Sequence, residues 1–129
     1  MKKIILLFCL LLSWISYGEW WNTEWKYRKK VEFKIPQKEL PFEKVGVVEF
    51  FANAKKDGSD IRVVDEKGNS VKFYLVGIFS GAKYQICFPL RGRTYYIYYG
   101  NKNARKENYD WKPEAGLILE VYEFPFSDK

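Results

Sequence analysis

A chain of 129 residues with a formal charge of +6, 19% aromatic content, two cysteines and no histidine is sized for one domain. The missing histidine removes the commonest general base, a usual zinc ligand and every Ser–His or Cys–His nucleophile. Its charges are mixed in sign rather than gathered on one element, so no nucleic-acid partner is expected.

The N-terminus reads as a cleavable export signal over residues 1–18. Lys2 and Lys3 form its charged start, Ile4 to Leu12 an apolar run, and Ser16-Tyr17-Gly18 a small-residue cleavage site that leaves Glu19 first. A membrane span needs about 20 apolar residues, and this run is shorter, so no stable span is expected after cleavage. Cys9 is filler in that run, because Phe8 stands where a lipoprotein signal needs a small residue. Residues 19–129 then form the mature domain, with a charge of +4 once Lys2 and Lys3 are gone. Only Cys87 remains, which leaves the domain without an internal disulfide and dependent on packing.

Strand signals dominate from Lys26 onward. The run Lys26, Arg28, Lys29, Lys30 reads as a solvated strand face, with contact to an acidic glycan or lipid head group as the functional reading. Val31, Phe33 and Ile35 alternate with charges, giving one buried face before Pro36 ends the strand. Val45 to Phe51 is more continuously apolar and predicts a strand covered on both faces, followed by a turn over 53–58. Asp60–Asp65 and Ser70–Phe79 flank Glu66-Lys67-Gly68-Asn69 and predict a β-hairpin, with Gly68 and Asn69 able to take positive φ. Ala82 to Leu90 places Tyr84, Ile86 and Phe88 on one face and Lys83, Gln85 and Cys87 on the other. Cys87 there reads as a partly buried small hydrophobe, against the sharper reading of a thiol for intermolecular pairing. Thr94 to Tyr99 is aromatic on both faces, which implies cover on both sides. Residues 101–113 are polar and irregular, and Gly116 to Phe124 offers a last strand. About seven short strands predict an all-β fold, a single two-sheet β-sandwich of jelly-roll-like arrangement.

Three blocks carry a resemblance: Trp25-Lys26-Tyr27-Arg28-Lys29-Lys30, then Asp57-Gly58-Ser59-Asp60-Ile61-Arg62-Val63 with Asp65 and Gly68, then Ile97-Tyr98-Tyr99-Gly100-Asn101. In kind and order they resemble the hallmarks of the DUF2341 family, a family of unknown function in exported prokaryotic proteins. The similarity spans Trp20 to Ala104, with Phe73-Tyr74 where the family has Pro-Tyr and no clear Trp before Ala82. The resemblance implies a β-sandwich module that often precedes a lectin-like domain and sometimes accompanies a proton-channel component. It implies no catalytic residue. No second domain follows here, as in a truncated part of a longer protein.

Asp57, Asp60 and Asp65 are the acidic cluster of note. A glycosidase needs only two carboxylates about 5 to 10 Å apart, and calcium wants several oxygen ligands. Turn and capping chemistry accounts for the same residues: Asp57-Gly58 as a turn, Asp60 accepting backbone N–H bonds, and Asp65 pairing Arg62 or capping the hairpin. No metal or cofactor is expected, since the spacing does not follow a calcium loop. Trp20, Trp21, Trp25 and Tyr27 are the candidates for stacking on sugar rings. Trp25 and Tyr27 are expected to share one strand face and to pack, whereas Trp20 and Trp21 precede the strand and are expected to be exposed. The functional expectation is a non-catalytic module of the envelope, periplasmic or on the cell surface, that mediates protein contacts or assembly. The alternative is a carbohydrate-binding module using exposed aromatic residues.

Overall fold

The computed structural model describes residues 20–35, 44–79, 82–114 and 118–122. The expected leader over 1–18, Cys9, Pro36 and the ends of the last predicted strand lie outside them. Among the described residues eight strands run in chain order: β1 Tyr27–Glu32, β2 Lys44–Phe51, β3 Arg62–Asp65, β4 Ser70–Val71, β5 Tyr74–Phe79, β6 Lys83–Pro89, β7 Thr94–Tyr99 and β8 Ile118–Tyr122. They form two four-stranded sheets, ordered β1-β7-β3-β4 and β5-β6-β2-β8. This is the two-sheet sandwich expected from the strand periodicity.

The core lies between the sheets because each strand turns alternate side chains inward. The first sheet contributes Val31, Val63, Tyr95 and Ile97, and the second Val48, Phe50, Tyr84, Ile86 and Phe88. Phe33 is the hub at one end, its ring meeting Phe88, Tyr95 and Tyr122 edge to face at 6.1, 6.2 and 5.7 Å. Each large apolar side chain buried this way contributes about 1.5–3 kcal/mol.

Three local expectations change. The second arm of the hairpin is not one strand: β4 pairs with β3 in the first sheet, while β5 pairs with β6 in the second. The chain crosses between sheets at Lys72-Phe73, where the buried Phe73 ring packs against Tyr109. The turn itself forms, with Gly68 at φ 88° and the Asp65 carboxylate accepting the N–H groups of Lys67 and Asn69. Gly68 alone takes the positive φ there; Asn69 does not.

β2 is covered on both faces only in its first half, where the outward-facing Val45 is 1% exposed. Val48 and Phe50 face the core, whereas Glu49 points outward to Lys83 at 2.6 Å and Phe51 is exposed beneath the same ammonium.

The basic run at β1 is not a single solvated face. A strand sends neighbours to opposite sides, so Arg28 and Lys29 diverge and both are half-buried. Arg28 lies between the Trp20 and Tyr96 rings, 4.7 Å from each centroid, and donates to the Tyr98 hydroxyl.

Candidate functional site

The three sequence blocks meet at one end of the first sheet. Asp60, 1% exposed, sits between β2 and β3, and its carboxylate is consumed by backbone donors. Oδ1 accepts from Lys55 N–H at 3.0 Å, and Oδ2 from the N–H groups of Gly100 and Asn101 at 2.8 and 3.2 Å. The Asp60 carbonyl accepts the Trp25 indole N–H at 2.6 Å. One residue therefore ties the segment before β1, the loop after β2 and the turn after β7.

Arg62 completes the knot from the next outward position on β3. Its buried guanidinium donates to the carbonyls of Ser59 and Ile61 at 2.8 Å and of Arg105 at 2.6 Å, and lies over the Trp25 ring. It reaches Glu107 at 4.0 Å rather than pairing with Asp65. Gly100 is required by the geometry: φ is 88°, and a Cβ there would stand 2.5 Å from the Tyr27 ring. Tyr27 in turn stacks on Tyr99 with centroids 5.5 Å apart. Asn101 then turns the chain, its side-chain oxygen accepting Asn103 N–H and its carbonyl Ala104 N–H.

The aromatic candidates are placed differently from the expectation. Trp20 and Trp21 are half-buried rather than exposed. Their rings lie 5.3 and 5.4 Å from Tyr98, and Trp21 is 5.1 Å from Trp25. Trp20 donates its indole N–H to the Trp25 carbonyl, and Trp21 N–H donates to the Tyr98 hydroxyl. With Val64 and Ala104 these rings form a second small core on the outer side of the first sheet. That is the cover which β7 demanded on its second face. Trp25 and Tyr27 do not share a face: Trp25 belongs to the outer cluster, while Tyr27 pairs with Tyr99 across the ladder. The physical reason is that β1 begins only at Tyr27, so strand alternation does not reach back to Trp25.

As a chemical site this knot offers little to a substrate. Both Asp60 oxygens are engaged by backbone N–H groups, Asp65 caps a turn, and Asp57 accepts Ser59 N–H at 3.0 Å. The Ser59 hydroxyl and that N–H hold the Asp57 carboxyl below the ordinary carboxylate range. Among the described residues no group of three acidic or cysteine side chains gathers as metal ligands. An open cleft of about 870 Å³ runs beside the knot, lined by Lys26, Lys55, Lys102 and Arg105 among others.

Cys87 is buried on the outward side of β6, opposite Val47 and Tyr74. Burial pushes its thiol up to about 11, so little thiolate exists at neutral pH. In the folded domain at pH 8 Cys87 is expected to resist a thiol reagent that labels it promptly in denaturant. Equal labelling rates in both states would contradict this placement.

Compared with protein-family models, with curated proteins and with solved structures, the chain has no match. Sequence reading overlooked Tyr109 and Trp111, two half-buried aromatics in an otherwise polar segment. The available signal was their position, since large rings in an irregular stretch must pack or bind.

Proposed function

We propose that this chain serves as a non-catalytic module of the cell envelope, exported by its leader, which holds a partner protein along strand β8. The observation that carries the reading is the character of that strand. β8 stands at the edge of the second sheet among the described residues, and its outward side chains Leu119 and Val121 are 57% and 63% exposed. Edge strands are ordinarily blunted by charge, as β1 is by Lys29, Lys30 and Glu32. On β8 the one charge, Glu120, is tied to Lys44 at 3.0 Å, which leaves an apolar rim. An extended segment of a second protein that continues the sheet there gains backbone hydrogen bonds and side-chain pockets together. The backbone bonds accepted by Asp60 and the capping by Asp65 support the non-catalytic part. The resemblance to the DUF2341 blocks and the leader support export.

The test uses the full chain produced in a secreting host. A photo-crosslinking residue at position 119 or 121 is expected to trap one discrete envelope protein on a product that begins at Glu19. Leu119→Lys with Val121→Lys is expected to weaken binding of that purified partner by about tenfold or more, with the urea midpoint of unfolding unchanged. An exported, folded domain that forms no crosslink from either position under several growth conditions overturns the reading.

A further inference from the structure

A second, smaller pocket of about 250 Å³ opens between the Asp57–Ser59 turn and the segment over 106–111. It shares Arg62 and Glu107 with the cleft beside the knot and no residue with β8. Its apolar wall consists of rings: Tyr74 and Trp111 line it, and Tyr109 is held in place by Phe73, with centroids 5.2 Å apart. Its rim is polar. Asp57 and Asn108 stand exposed there beside Lys106 and Glu107. Ser59, 4% exposed, also lines it, and its buried hydroxyl meets the Asp57 carboxylate only outside full hydrogen-bond geometry. A buried hydroxyl held so gains from a ligand or water that supplies a better partner.

Size and chemistry narrow the ligand. Drug-sized molecules occupy pockets of about 300–1,000 Å³, so this one suits a single ring. Aromatic walls accept the C–H face of a sugar, while carboxylate, amide and hydroxyl groups at the rim exchange hydrogen bonds with its hydroxyls. Charge selects further. The Arg62 guanidinium at the pocket floor is committed to backbone carbonyls. The lining carries two cations, Arg62 and Lys106, and two carboxylates, Asp57 and Glu107, so it has no cationic surplus for an acidic ligand. We propose that this pocket binds one neutral pyranose ring, the terminal unit of a glycan. The aromatic residues responsible are Tyr74, Tyr109 and Trp111, in place of Trp20 and Trp21, which the fold covers.

Amide chemical shifts of the isotope-labelled domain, titrated separately with glucose, galactose, mannose and N-acetylglucosamine, provide the test. At least one sugar is expected to bind with Kd on the order of 1 mM, shifting resonances of residues 57–59 and 106–111. Trp111→Ala and Asn108→Ala are each expected to weaken that sugar by about tenfold. Asn108 is exposed, so its variant stays informative if Trp111→Ala fails to fold. The Leu119→Lys, Val121→Lys pair is expected to leave sugar binding untouched, which separates this site from the partner edge. Silence with all four sugars, shifts confined to other surfaces, or stronger binding of glucuronate or inorganic phosphate overturns the proposal.

Discussion

Replacing Asp60 by alanine is expected to cost about 3–5 kcal/mol of stability, a large share of the roughly 5–15 kcal/mol that holds a domain folded. The carboxylate serves three backbone donors, Lys55, Gly100 and Asn101, and the site is closed to water around it. A buried donor left without an acceptor costs about 1–3 kcal/mol. Asp60→Asn keeps one acceptor oxygen but turns an amide hydrogen toward an N–H group. It is expected to lose about 1–3 kcal/mol. Urea unfolding followed by tryptophan fluorescence reads both losses as a lower midpoint at unchanged slope. An alanine variant within about 0.5 kcal/mol of the parent, the range of an ordinary surface substitution, would mean that the carboxylate does not tie these segments.

The second large effect belongs to Trp25→Ala, expected at about 3–5 kcal/mol. The ring is 7% exposed, sits against Val64, Tyr98 and Ala104, and lies beneath the Arg62 guanidinium. Trp25→Phe isolates the polar contribution, since it keeps most of the packing and deletes the indole donor to the Asp60 carbonyl. That variant is expected to lose about 1–2 kcal/mol. Because Trp25 and Asp60 meet, the paired variant Trp25→Phe with Asp60→Asn is expected to depart from additivity by at least about 0.5 kcal/mol. Strict additivity would show that the indole and the carboxylate act on separate parts of the fold.

The sandwich was legible because periodicity reports burial directly. Val31, Phe33 and Ile35 alternate with charged residues, and all three lie in the core. Tyr84, Ile86 and Phe88 share the inward face of β6 as their spacing requires. What periodicity cannot convey is where a strand changes sheets. Ser70 to Phe79 looks continuous in sequence, yet Phe73 enters the core at the crossing and divides it. It is equally blind to cover supplied from afar. Trp20 and Trp21 resemble free rings until the Tyr98 face they shield is known. For the acidic cluster, turn chemistry offered Asp65 two roles, and of these the cap forms while the pairing with Arg62 does not. The reach of Asp60 across to Gly100 is a tertiary fact that spacing does not contain.

The pairing of β2 with β8 has a bearing on when this chain can fold. Val45 lies opposite Leu119 in a parallel ladder, and Tyr27 lies opposite Tyr99 in an antiparallel one. Early segments in both sheets thus wait for late ones, and such distant pairings form slowly. A polypeptide emerging N-terminus first completes the first sheet only once Tyr99 is out and the second only once Tyr122 is out. The rigid shape is thus gained late in synthesis, after most of the chain has been made.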